Sequence, residues 1–278
     1  MSTLATRGTD NNQLAVYGVI RSSLALSKCD QTIDFCFKKI AQGKRVAVFT
    51  DIKPAGEKIR MGIANRVKEL PKNHKFYNKE VYLLNGDSPD ANKERFTNIN
   101  EFKKLCNDDI CESKYVAMVI SYDVGGTGIS MENASDTIVF NDLPDTPLND
   151  TQARGRFFRL NTNKDNTVFY MLLNIEAEHK MHDTLMRKIQ IANAIQKLTI
   201  EENRLIMEGR QYSEPVKAIR KKLEQLESDL LGLSMINAVL PKGGLSSRTK
   251  KDTIRKKSFF ETWYKQASFS QTSTKEIL

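Results

Sequence analysis

The strongest constraint on the fold is an alternation of short apolar runs with amphipathic helical patterns, sustained from residue 31 to residue 197. Ile33, Phe35, Phe37 and Ile40 fit a helix that stops at Gly43, a residue suited to the left-handed position after a helix. Val46, Ala47, Val48 and Phe49 form a short, wholly apolar run, the pattern of a strand covered on both faces. Residues 54–70 place Ile59, Ile63 and Val67 four apart, on one side of a helix. Further strands are expected at 81–84, closed by Asn85 and Gly86, and at 115–121, 137–140 and 168–173. Helices are expected at 89–105, with Phe96, Ile99 and Phe102 on one side, at 149–160 and at 176–197. Short apolar strands separated by helices imply an α/β fold, a mainly parallel sheet with helices on both faces. Ligands of such sheets sit at the carboxyl ends of the strands. That directs attention to the loops after Phe49, Leu84, Ser121 and Phe140.

The flanks have a different texture. Residues 1–30 are polar with scattered apolar positions and read as a lead-in segment. Residues 198–240 carry no strand pattern and read as a helical extension. Pro215 follows Ser213, a good helix start, and Val216, Ile219, Leu223, Leu226, Leu230 and Leu233 then step by three and four. That stripe fits either a partner helix or a helix packed back on the lobe. Residues 241–278 read as a basic tail. The chain carries a net charge of +9, which points to a polyanionic partner. Residues 242–257 alone hold +6 of it, with Lys250, Lys251, Lys256 and Lys257 as the nucleic-acid contacts expected there. Phe259, Phe260, Trp263 and Tyr264 follow, suited to stacking on bases or to anchoring the tail.

No run approaches ~18 consecutive apolar residues, and the start of the sequence lacks the pattern of a secretory signal, so an intracellular protein without membrane contact is expected. In that compartment Cys29, Cys36, Cys106 and Cys111 are expected as reduced thiols. Cys106 and Cys111 are close enough for a metal clip, but no matching pair of ligands accompanies them. No metal ligands are assigned.

Two loops carry the chemistry. The third strand leads into Gly125, Gly126, Thr127 and Gly128, whose backbone N–H groups could cradle phosphate or simply form a tight turn. The fourth leads through Asn141 and Asp142 to a helix bearing Gln152, Gly155, Arg156 and Arg159. Arginines three apart share a helix face, which suits either phosphate binding or a solvated surface.

Together, in this order, these pieces resemble superfamily 2 helicases. Gly125 to Ser130 followed by Asn133 and Ala134 is similar to motif V. Gln152, Gly155, Arg156 and Arg159 are similar to motif VI, Gln-x-x-Gly-Arg-x-x-Arg. The spacing of Asp142, Pro147 and Gln152 is similar to the Swi/Snf-type branch, and the strand ending at Thr50 resembles motif IV. The resemblance covers residues 31–197 and implies a RecA-like second motor lobe. ATP and Mg2+ then sit between two lobes, held mainly by the first. Arg156 and Arg159 are the implied arginine fingers, catalytic and nucleotide-binding, with Gln152 and Gly128 beside them. Thr50, Gly86, Gly125, Gly126 and Thr127 are implied contacts to the nucleic-acid backbone, DNA in preference to RNA.

The sequence also departs from a complete motor. It holds no Gly-x4-Gly-Lys-Ser/Thr loop. Gly43 and Lys44 are followed by Arg45 and precede a strand, where such a loop follows one. Asp142 ends an apolar strand, but Leu143 stands where an acidic neighbour would be. Hydrolysis then requires a separate chain carrying the first lobe, as in a split motor of viral or phage type. The alternative is a non-catalytic nucleic-acid-binding or regulatory relative of the lobe. An unrelated α/β enzyme using the glycine loop for a dinucleotide or methyl donor is a third reading. It lacks the third glycine of Gly-x-Gly-x-x-Gly.

Overall fold

The computed structural model describes residues 3–85, 91–107, 109–122, 130–157, 167–233 and 235, with backbone alone for 3–12 and 91–93. The elements run α1 (Thr3–Ala41), β1 (Val46–Phe49), α2 (Lys53–Val67), β2 (Glu80–Leu84), α3 (Ala91–Lys103), β3 (Tyr115–Ile120), β4 (Thr137–Phe140), α4 (Pro147–Gly155), β5 (Thr167–Tyr170), α5 (Glu176–Met207) and α6 (Glu214–Gly232). The five strands form one sheet in the order β2-β3-β1-β4-β5. Every pair is parallel. The expected RecA-like α/β architecture is what forms.

The sheet is apolar on both faces because helices cover both. Val46, Val48, Ala117, Val119 and Val139 point to a core shared with Cys29, Ile33, Cys36 and Ile40 of α1 and Ile59, Ile63 and Val67 of α2. Their alternate neighbours Ala47, Phe49, Met118, Ile120, Ile138 and Phe140 face Ile99 and Phe102 of α3, Ala153 of α4, and Phe157. This is the period-2 alternation of a strand expressed on two buried faces.

Three helix boundaries and one helix face differ from the sequence reading. The first helix starts at Thr3, not at Gln31, so the supposed lead-in is helical. Tyr17, Ala25, Cys29, Ile33, Cys36 and Ile40 are all buried, at steps of three, four or their multiples, so one face of α1 joins the core. Phe96 is 57% exposed although Ile99 and Phe102 are buried. Three residues turn a helix by ~300°, so Phe96 and Phe102 stand about 120° apart and only one side can face the sheet. The helix expected over 149–160 ends at Gly155, and the one expected to end at 197 runs on to Met207.

α1 and α2 pack closely at Gly62. A Cβ there would lie 2.3 Å from Cδ1 of Ile33, so any larger residue requires the Ile33 side chain to move. Gly43, at φ 78°, ends the turn after α1 as its composition suggested.

The chain divides into two compact units, Met1–Met186 and Arg187–Leu278, with the boundary inside α5. In the second unit Val216 of α6 is buried, and Arg220 Nε pairs with Glu202 at 2.6 Å. The rest of the α6 stripe that the structure describes is half-buried. The basic tail 241–278 lies outside the described residues.

Candidate nucleotide and nucleic-acid interface

The strand order places a topological switch point between β1 and β4. From β1 the chain moves toward β2 and β3, while from β4 it moves the other way, to β5. Ligands of open parallel sheets bind in the crevice at that point, outside the carboxyl ends of the strands. Thr50 and Asp51 leave β1 there, and Asn141 and Asp142 leave β4 beside them.

An aromatic row forms the floor of this edge. Register pairs Phe49 with Phe140 and Phe140 with Tyr170. Their rings stack at centroid distances of 5.4 and 4.9 Å, and Tyr122 stacks on Phe49 at 5.6 Å. Phe157 meets Phe49 edge-on at 6.1 Å. Large flat rings fixed on adjacent strands make a rigid base for the residues above them.

Above that base, α1 inserts a cation among three carboxylates. Arg21 Nη2 donates to Asp51 Oδ2 at 3.2 Å and Asp142 Oδ2 at 3.1 Å. Arg21 Nη1 donates to Asp145 Oδ2 at 2.6 Å, and Tyr17 Oη to Asp145 Oδ1 at 2.8 Å. Asp51 closes the group by accepting from Tyr122 N–H at 2.9 Å and donating its own N–H to Asp142 Oδ2 at 3.2 Å. Burial pushes the Asp142 carboxyl above its ordinary range, opposed by the Arg21 guanidinium and a hydrogen bond from Thr50. Burial works against the Arg21 charge too, but the three carboxylates outweigh it and hold that charge more firmly than usual. Burial, then Asp145, raises the Tyr17 phenol well above its usual range.

α1 is tied to the same edge at two further points. Asn141 accepts from Thr32 Oγ1 at 2.7 Å and donates to Ala25 O at 3.1 Å. Lys28 pairs with Glu178 and donates to Met171 O at 3.0 Å, with both charged side chains almost fully buried. Tyr17 and Arg21 were missed in the sequence because their segment reads as polar, and Asp145 because it lies in the loop between β4 and α4 outside the motif positions. The available signal was the stepping of Tyr17, Arg21, Ala25 and Cys29 by four.

The helix of the motif VI pattern is α4. Pro147 occupies its first turn, and Thr146 caps it by accepting from Asn149 N–H at 3.2 Å. Asp150 is fully buried and accepts from Arg154 Nε at 2.7 Å and from the Tyr170 hydroxyl. Arg154 is thereby committed to its own helix. Gln152 is half-buried. Arg156 caps the C-terminus of α4 and is only 6% exposed, which removes the reading of a solvated arginine face at that position. Its carbonyl accepts from Met131 N–H at 2.9 Å, which joins motif VI to the end of motif V.

Thr50 is buried; its N–H donates to Ile120 O at 3.0 Å and its hydroxyl accepts from Ile52 N–H at 3.3 Å. Of the site residues expected from sequence, Thr50, Gln152 and Arg156 are thus described. Gly86, Gly125, Gly126, Thr127, Gly128, Arg159, Lys250, Lys251, Lys256 and Lys257 lie outside the described residues. Among the described residues, no group of three or more His, Cys, Asp or Glu side chains is arranged to hold a metal ion. No described helix is long and apolar enough to cross a membrane.

Residues 27–161 match the family described as Helicase conserved C-terminal domain. This segment belongs to that family. It is the superfamily 2 second lobe that motifs V and VI implied, and its sequence relatives are in keeping with the Swi/Snf-type branch. One is "Chromatin-remodeling ATPase INO80" of Eremothecium gossypii, 28% identical over 45% of this chain and 9% of that protein. Another is the protein of that name from Saccharomyces cerevisiae, 26% identical over 44% of this chain and 7% of that one. "Protein CHROMATIN REMODELING 8" of Arabidopsis thaliana is 33% identical over 38% of this chain and 8% of its own length. The matched region is thus under a tenth of each relative. Among solved structures, the C-terminal part of the Fun30 ATPase domain matches with a TM-score of 0.41 and 18% identity, over 52% of this chain and 40% of that one. The Sulfolobus solfataricus SWI2/SNF2 ATPase C-terminal domain matches with a TM-score of 0.35 and 21% identity, over 57% of this chain and 54% of that one.

Proposed function

We propose that this lobe works as the second half of an ATP-dependent nucleic-acid translocase, supplying arginine fingers to a nucleotide held by a first lobe. The observation that carries the reading is the placement of Arg156. It is buried at the C-terminus of α4, its carbonyl bonded to the residue that follows motif V, and its neighbour Phe157 packed on the β1 aromatic. The backbone that carries this guanidinium is thus fixed, and its charge is permanent.

Arg156 and Arg159 fit the terminal phosphate of ATP, with Gln152 and Gly128 at the margin of the same contact. ATP supplies the phosphoryl group whose transfer drives movement. Arg156 orients and stabilises charge on that group from across the interface. Mg2+ finds no fit here. The three carboxylates at the sheet edge are engaged by Arg21. The metal therefore belongs with the first lobe, as does the rest of the nucleotide. Motif V then offers Gly125, Gly126 and Thr127 to the nucleic-acid backbone, with Thr50 and Gly86 as secondary contacts. Such contacts position the lobe without reading sequence. DNA is favoured as the track by the Swi/Snf-like spacing and by relatives named for chromatin remodelling.

The domain division proposed with this function is a lobe over 31–197 preceded by the docked helix, a helical extension over 198–240 and a basic tail over 241–278. The test is Arg156→Ala in the presence of a first lobe. Nucleic-acid-stimulated ATPase should fall ~10³-fold or more, with nucleic-acid binding largely retained. Unchanged ATPase would remove Arg156 from the reaction. No ATPase in the unaltered pair would favour the non-catalytic relative.

A further inference from the structure

The four cysteines divide into two kinds. Cys29 and Cys36 lie in the core beneath α1, and burial pushes both thiols up, away from reactivity. Cys106 and Cys111 border the same core but face one another across an antiparallel bridge. The flanking bonds run from Asn107 N–H to Ile110 O and from Glu112 N–H to Leu105 O, each 2.9 Å. That pattern makes 106 and 111 a non-hydrogen-bonded pair, the kind in which Cα atoms stand ~4.5 Å apart and side chains approach most closely. A disulfide needs Cα atoms about 4.4–6.8 Å apart, so the pair sits inside the range, at its short end. The two thiols already hydrogen-bond to each other.

The turn that carries them is held from three sides. Asn107 Oδ1 accepts from the N–H groups of Asp109 and Ile110, at 3.0 and 2.8 Å. Lys75 Nζ donates to Asn107 O at 2.6 Å, and Lys79 Nζ to Cys111 O at 2.8 Å. Arg45 Nη1 donates to Lys104 O at 3.1 Å. The backbone is thus fixed in the register that sets the two cysteines opposite one another. The hydrogen bond from Cys106, opposed by burial and helped by the Arg45 charge, lowers the Cys111 thiol, while the same contact and burial raise Cys106, so Cys111 is the readier of the two to ionise. Cys106 and Cys111 are themselves buried, at 7% and 8%, beneath a turn whose Leu105 and Ile110 are 60% and 61% exposed, so a small oxidant reaches the sulfurs through that turn.

We propose that Cys106 and Cys111 form a reversible oxidation site for hydroperoxides, with Cys111 attacked first and Cys106 resolving it. The Cys111 thiolate attacks one peroxide oxygen, the O–O bond breaks, and hydroxide leaves to become water. Cys111 is then a sulfenic acid. The Cys106 sulfur attacks the Cys111 sulfur, the S–O bond breaks, and the departing hydroxide takes the Cys106 proton as a second water. Two thiols and one hydrogen peroxide yield one disulfide and two waters, two electrons passing from sulfur to oxygen. A thiol reductant reverses it, and the short span across the bridge favours an easily reduced bond. The pair lies between α3 and the start of β3, at the sheet edge opposite the nucleotide-side crevice, so the inference stands independently of the proposed motor function.

The test uses the full chain and a small excess of hydrogen peroxide, followed by denaturation, alkylation and tryptic mapping. Cleavage after Lys104 and Lys114 leaves both cysteines in one peptide, 105–114. Expected is loss of two hydrogens from that peptide, resistance to alkylation, and full reversal by dithiothreitol, with Cys29 and Cys36 still alkylated. In Cys106→Ser, oxidation should stop at Cys111 as a sulfenic acid that dimedone traps. Full alkylation of peptide 105–114 after oxidation overturns the proposal, as does oxidation of Cys29 or Cys36 at the same rate. The unaltered chain alone decides this if the variant fails to fold.

Discussion

Arg21→Ala should be a strongly damaging change on α1 outside its apolar face. The guanidinium serves three carboxylates, and their side chains differ in exposure. Asp142 is 3% exposed, Asp51 22% and Asp145 38%. Removing one partner of a fully buried pair costs about 3–5 kcal/mol, whereas an exposed pair contributes ~1 kcal/mol or less. Only the Asp142 contact qualifies fully for the larger figure, and Asp145 must be discounted for solvent. About 3 kcal/mol is the expected loss. With a urea dependence of ~2 kcal/mol per molar, the midpoint of unfolding of the first unit should move down by about 1.5 M.

The pH dependence follows with a definite sign. The folded-state pKa of Asp142 lies above its unfolded value. Such a group stabilises below the unfolded value of ~4 and loses that contribution as pH rises through the folded value. Taking away Arg21 removes its countercharge and lifts Asp142 further. The deficit of Arg21→Ala should therefore be greatest near neutrality and shrink on acidification toward pH 4. Arg21→Lys should fall between, because an ammonium keeps the charge but cannot fork across Asp51, Asp142 and Asp145. Urea titrations followed by near-ultraviolet circular dichroism at several pH values measure all of this. A variant within 0.5 M of the unaltered chain, or a deficit that grows in acid, would refute the account of the clamp (each bound scaled from ~2 kcal/mol per molar).

Two further outcomes are expected. Gly62→Ala should cost ~1–3 kcal/mol by forcing Ile33 out of its place between α1 and α2, and Ile33→Ala added to it should restore part of the loss in the same titration. Deleting residues 242–278 removes the segment holding +6 and should flatten the salt dependence of DNA binding by up to ~5 in logarithmic slope; an unchanged slope would show that the contacts lie elsewhere.

Much of the lobe was readable from local pattern. Strand positions followed from wholly apolar runs, because a strand covered on both faces cannot alternate with polar residues. Ile59, Ile63 and Val67 announced their helix by spacing, and all three are buried. The order of motifs V and VI was enough to identify the family, since chemistry at the strand ends constrains residue type whatever the surrounding packing. The fate of single polar residues was not readable. The motif singles out Arg156 over Arg154, but only the structure shows that Arg154 is held by Asp150 of its own helix and that Arg156 is buried at the helix end. Phe96 looked like core and is exposed.

The largest gap concerns the first thirty residues. Their composition is polar, and nothing local says that Arg21 has a counterpart 121 residues away in Asp142. A buried charge is tolerated only where opposite charges converge on it, and that convergence depends on strand order. Sequence alone therefore determined which segments are strands, which helices lie between them, and which family they belong to, but not that residues before 31 are helical. The tertiary structure decided that β1 and β4 lie side by side, that their ends present Asp51 and Asp142 together, and that a helix read as a lead-in brings Arg21 to both. The physical reason is that hydrophobic periodicity is written within each element, whereas charge pairing across a switch point exists only once the elements are assembled.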